Sequence, residues 1–209
     1  MFTLTFIIFL PLSYAQARVG FDFSPIDKKE VFEAFDVQNA DYPSRIDLGQ
    51  NVIRPFIGWE NNRGRIELRG DFSWDQSDTW VEADHIHSHV GLLRLRLDVQ
   101  KRFLPKQTVG PLIGFGLRWD QGFAEISSSS TTTEEIDNAL VLEEEIKSEL
   151  NRFGLIASFG SDWIINKRIE LGFRWDLLAM IRQKSTEEAG TTRRFEVNND
   201  AVVTCGWKF

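Results

Sequence analysis

Residues 65–75 read Arg-Ile-Glu-Leu-Arg-Gly-Asp-Phe-Ser-Trp-Asp. Ile66, Leu68, Gly70, Phe72 and Trp74 share one parity, and Arg65, Glu67, Arg69, Asp71 and Ser73 share the other. A period of two is that of a β-strand, whose side chains point alternately to opposite faces. One face here is large and aromatic. The other is short or charged, with both signs present.

The same division recurs along the chain. Segment 91–103 sets Leu93, Leu95, Leu97 and Val99 against Arg94, Arg96, Asp98 and Gln100. Segment 109–121 sets Ile113, Phe115, Leu117 and Trp119 against Gly114, Gly116, Arg118 and Asp120. In 153–165, Phe153, Leu155, Ala157, Phe159 and Trp163 oppose Gly154, Ser158, Gly160 and Asp162. In 169–182, Ile169, Leu171, Phe173, Trp175 and Leu177 oppose Glu170, Gly172, Arg174 and Asp176. The C-terminal run 201–209 places Ala201, Val203, Cys205, Trp207 and Phe209 against Val202, Thr204, Gly206 and Lys208. Less regular segments at 18–24 and 52–60 bring the number of strand candidates to eight, an even number.

A soluble barrel also alternates, so the polarity of the faces has to decide. The apolar face is too broad and aromatic to fill an eight-stranded interior, whereas small and charged residues suit a narrow one. The reading is therefore inside out: lipid against the apolar face, ion pairs within. Unpaired buried charges are too costly to persist. Arg69, Arg94, Arg96, Arg118 and Arg174 are expected to form an interior network with Asp71, Asp98, Asp120 and Asp176.

Bulk properties agree. The 209 residues suit one domain, with a mean hydropathy of −0.25. Seven Trp and seventeen Phe against two Tyr is a heavy aromatic load for so polar a chain. No run of 18 or more apolar residues follows the N-terminus, which excludes a helical membrane protein. The net charge of −7 argues against nucleic acid as a partner. A single cysteine, Cys205, permits no internal disulfide. Residues 1–12 are apolar and lead to Ala15-Gln16-Ala17, a signal-peptidase pattern. Residues 1–17 thus read as a signal peptide and 18–209 as the barrel.

Indole rings favour the boundary between lipid and water. Trp59, Trp163 and Trp207 sit at strand ends that lead into short turns or the C-terminus, and Trp74 and Trp119 toward ends that lead into long connections. These five are expected as two interfacial belts; Trp175 lies nearer mid-strand. Connection lengths alternate as well. Short ones at 61–64, 104–108 and 166–167 separate long ones at 25–50, 76–88, 123–151 and 183–196. The fold expected is an eight-stranded antiparallel up-and-down transmembrane β-barrel with short periplasmic turns and long extracellular loops.

The chain ends Trp207-Lys208-Phe209, with apolar residues at every second position from 201. This resembles the C-terminal assembly signal of bacterial outer-membrane barrels, although Thr204 stands where those proteins usually carry glycine. Residues 18–209 resemble the small OmpA/OmpX/OmpW-type barrels in pattern. The resemblance implies location in the bacterial outer membrane and contact with its lipid and lipopolysaccharide. It also implies recognition of Trp207 and Phe209 by the barrel-assembly machinery. A monomer is expected.

Candidates for chemistry are few. His85, His87 and His89 share one face of a strand, about 7 Å apart between neighbours, and imidazole suits Zn, Cu or Ni. They are a weak metal candidate, because one strand offers poor ligand geometry. Some outer-membrane barrels modify lipid A with a His-x-Ser pair. Here the residues two after each histidine are His87, His89 and Gly91, so that pair is absent. No catalytic residue, cofactor or established metal site is assigned. Residues 125–150 hold eight acidic groups and one Lys, offering an acidic surface to cations or a basic partner. A protruding hairpin is the preferred reading of this loop, with a helix over 140–150 as the alternative. A short helix is expected over 25–35. Three function classes follow: a structural or surface-interaction barrel plugged by charge pairs, a narrow pore for small solutes, and a lipid A-modifying enzyme.

Overall fold

A computed structural model of the chain describes residues 15–24, 30–33, 45–48, 53–61, 64–81, 84–104, 107–128, 133–186 and 190–209. Its strands are β1 (Gln16–Phe23), β2 (Glu30–Glu33), β3 (Arg45–Leu48), β4 (Ile53–Asn61), β5 (Gly64–Val81), β6 (Asp84–Arg102), β7 (Val109–Ser128), β8 (Arg152–Ile164), β9 (Ile169–Thr186) and β10 (Gly190–Lys208). One helix, α1 (Thr133–Leu150), separates β7 from β8. Eight strands close into a barrel in the order β1-β10-β9-β8-β7-β6-β5-β4, sealed by β1 pairing with β4. Every pairing in the wall is antiparallel. Closure leaves no edge strand at membrane depth, the condition for a sheet to cross lipid.

The alternation seen in the sequence is the alternation of the wall. Phe115, Leu155 and Trp163 are 69%, 60% and 59% exposed, and Arg18, Asp22, Asp98 and Asp120 are completely buried. Apolar surface on this scale, with charge inside, is the inverse of a water-soluble fold. Short turns join strands at one end. Gly64 N–H donates to Asn61 Oδ1 (3.2 Å), and Asn166 Oδ1 accepts from the N–H groups of Arg168 and Ile169 (2.8 Å each). Asn holds both turns through its side-chain carbonyl.

At the other end the structure corrects several expectations. Segments 76–88 and 183–196 are largely strand, since the β5–β6 ladder continues to Val81 and Asp84 and the β9–β10 ladder to Thr186 and Gly190. Beyond the bilayer no lipid imposes a one-sided pattern, so these strands carry no clean alternation. The preferred hairpin over 125–150 is instead α1. Glu, Leu, Ala and Lys dominate from residue 134 on, acidic residues open the helix, and Lys147 lies in its last turn. The helix expected over 25–35 is also corrected: Glu30–Glu33 is a strand paired with Arg45–Leu48, and the flanking residues lie outside the described ones. β1 begins at Gln16, inside the segment read as a leader, with Gln16 opposite Glu60 and Ala17 opposite Trp59. Residues 1–14 lie outside the described ones.

Candidate functional site: the charged lumen and its helical stopper

The inward positions build three tiers. Nearest the short turns, Arg18 Nη2 and Arg65 Nη1 both donate to Glu170 Oε1 (2.8 and 2.5 Å). Arg18 also pairs with Glu67 and Glu60, and Arg65 with Asp162. Lys208 Nζ reaches Glu60 and Glu170 (3.0 and 2.9 Å), and Arg65 Nε donates to Gln100 Oε1 (2.8 Å). Seven strands meet in this tier.

Asp22 anchors the middle tier. Its Oδ2 accepts from Arg69 Nε (2.6 Å) and Arg174 Nη2 (2.9 Å), and its Oδ1 from Thr204 Oγ1 (2.8 Å). Arg69 also binds Glu67 and Asp98. Arg96 bridges Asp98 and Asp176 (2.7 and 2.5 Å), and Arg174 Nε donates to Asp176 (2.8 Å). The Phe56 ring lies under both Arg18 and Arg69, 5.6 and 5.1 Å from the guanidinium carbons, where its π-face adds cation–π attraction. Farther out, Arg94 pairs with Asp71 (3.0 Å), Arg118 with Asp120 (2.7 Å) and Arg54 with Asp200 (3.2 Å). A cavity of about 40 Å³ lies here, bordered by Arg54, Arg69, Arg94, Arg96 and Arg118. It has room for about one water or a few.

Every residue expected in the network faces inward, and the structure brings them together. Sequence reading did not place Arg18, Asp22, Arg54, Glu60, Arg65, Glu67, Asp162, Glu170, Asp200 or Lys208 in that network. Their signal was the same parity on the same strands. What no parity reveals is which ones touch.

Above the charged tiers the lumen turns apolar. Val90 and Leu92 of β6, Ala124 of β7 and Leu150 of α1 form one buried cluster, with Ile146 packed against it. β7 runs eight residues past Asp120, which pairs with the first residue of β8. Along that stretch α1 lies beside β7. Asn151 Oδ1 accepts from Gly122 N–H (2.8 Å) and Glu143 Oε2 from Ile126 N–H (3.3 Å). Polar side chains next to the helix thus replace backbone bonds that a longer β8 would have made. Lys147 donates to Glu143 Oε1. That hydrogen bond holds the Glu143 carboxyl below the usual carboxylate range, reinforced by the Ile126 N–H.

Of the expected belt residues, Trp59, Trp119, Trp163 and Trp207 face outward and are exposed; the Trp74 side chain lies outside the described residues. Trp207 meets Phe21 edge-on, centroids 6.5 Å apart. His87 and His89 lie on the outward side of β6 with their Nε2 atoms 2.6 Å apart; the His85 side chain lies outside the described residues. Among the described residues no three His, Cys, Asp or Glu side chains converge as a metal site.

No protein-family model and no curated protein matches the chain. Solved structures do. The E. coli outer membrane protein W, solved in solution by NMR, aligns over 94% of this chain and 98% of its own, at 10% identity and a TM-score of 0.51. OprG, an outer membrane protein of Pseudomonas aeruginosa, aligns over 93% and 95% at 13% identity (TM-score 0.45). Neisserial surface protein A aligns over 94% and 96% at 12% identity (TM-score 0.43). The chain is a small eight-stranded β-barrel of the outer-membrane type.

Proposed function

We propose that this barrel works in the bacterial outer membrane as a closed scaffold whose role is structural or surface contact, not solute passage. One observation carries the reading: ion pairs cross the lumen from wall to wall, and Leu150 of α1 packs into its outer mouth. A conducting path would have to break these hydrogen-bonded charge pairs. The β5–β6 and β9–β10 hairpins and the exposed Glu144 of α1 are then the surfaces offered to the outside. Lipid and lipopolysaccharide contact the aromatic wall, the barrel-assembly machinery recognises the C-terminal strand, and residues 1–17 serve as the leader.

The test is conductance of the purified chain in planar lipid bilayers. The expected result is a silent membrane at modest voltage. Steady ion current from folded protein would overturn the closed reading in favour of a narrow pore. Spin labels at Leu95 and Phe173 should report lipid, and water contact there would remove the membrane reading itself.

A further inference from the structure

His87 and His89 belong to neither the charged lumen nor the stopper. His87 and His89 are both partly exposed and stand on the outward side of β6. Residues two apart on a strand are separated by roughly 7 Å along the backbone. The two imidazoles close that gap by leaning together, with centroids 4.4 Å apart and planes at 76°. Their Nε2 atoms converge to 2.6 Å. Contact this close places a proton or a cation between the nitrogens, because two lone pairs facing each other repel.

We propose that His87 and His89 form a two-nitrogen chelate for a borderline divalent transition-metal ion of the Cu²⁺, Ni²⁺ and Zn²⁺ class. Both rings would carry their proton on Nδ1 and turn the Nε2 lone pairs to the ion. A metal about 2.1 Å from each nitrogen with a right-angled bite sets the nitrogens about 3 Å apart, so the rings need part by only a few tenths of an ångström. The remaining positions stay open to water or to anionic oxygen donors. In register with His89 on β7 stands Glu125, which is exposed, and Ser127 stands opposite His87. On β5 the facing positions are Gln76 and Asp78. The carboxylate of Glu125, in the cross-strand position, lowers the cost of bringing a dication there. Imidazole rather than all-oxygen ligation selects this class over Mg²⁺ and Ca²⁺, with Cu²⁺ the tightest member. The assignment is independent of whether the lumen conducts.

The probe is Cu²⁺ added to the untagged full chain in detergent micelles, followed by calorimetry and electron paramagnetic resonance. The expected result is one strong site per chain whose spectrum shows coupling to two nitrogens, undisturbed by millimolar Mg²⁺. His87→Gln and His89→Gln should each weaken binding at least tenfold, and heat-modifiable migration shows that each variant is folded. Equal affinity in the doubly substituted chain would overturn the assignment. So would the absence of any site tighter than millimolar, which would leave a shared proton as the whole content of the pair.

Discussion

Leu150, the last residue of α1, occupies the space that a β-carbon on Gly122 would need: the two would collide at Leu150 Cβ, with Cγ and Cδ1 close behind. Gly122 N–H meanwhile donates to Asn151 Oδ1. Helix end and strand therefore touch backbone to side chain, which only glycine permits at this position. Gly122→Val is expected to push the helix end off the barrel mouth and to cost about 1–3 kcal/mol, the range for forced overpacking. Urea unfolding in lipid vesicles measures it. Leu150→Ala also destabilises, by about 2–5 kcal/mol. Combining the two should relieve little of the Gly122→Val cost, because alanine keeps the Cβ that the new side chain meets.

Arg69 holds three carboxylates drawn from three strands: Asp22 on β1, Glu67 on β5 and Asp98 on β6. Arg69→Met leaves each of the three buried carboxylates short of one cation. The expected loss is about 3–5 kcal/mol, as for a broken buried ion pair, seen as a lower urea midpoint. Asp22 keeps Arg174 and Thr204 as partners, so Asp22→Asn in the Arg69→Met background should recover part of the loss. A second substitution that instead deepened the loss would show that the network is not organised around this contact.

Acid should loosen α1 through Glu143. The Glu143 carboxyl is held below its unfolded value by Lys147 and the Ile126 N–H. A group lowered in the folded state stabilises above its unfolded value, about 4.3 for Glu, and loses that contribution as pH falls through the folded one. Amide exchange at Ile126 should therefore be flat from pH 7 to 5, after correction for intrinsic rates, and lose protection below about pH 4. In Glu143→Gln this step should vanish. Persistence of the step in the variant would assign it to another carboxylate.

Phe209 is 77% exposed at the end of the β1–β10 seam. Its side chain adds little to the folded barrel. Deleting it should leave refolding from urea into detergent nearly unchanged, yet reduce the folded, heat-modifiable form in the outer membrane several-fold. Equal losses in both assays would mean that Phe209 stabilises the barrel itself and is not a signal read during assembly.

Sequence alone determined the parity of each wall strand, and with it the barrel, the outward tryptophans and the inward charges. The reason is physical: hydrocarbon on one side and a narrow lumen on the other impose a local pattern of period two. That legibility stopped where lipid stops, so the outer ends of β5, β6, β9 and β10 read as loops. Tertiary structure alone decided the partners. Arg69 meets Asp22 because the register across β1, β4 and β5 brings together residues 47 positions apart. Leu92 and Leu93 are neighbours in sequence, and Leu92 is the buried one because α1 sets Leu150 against it. Such contacts depend on closure, stagger and the return of a distant helix, none of which a single segment encodes.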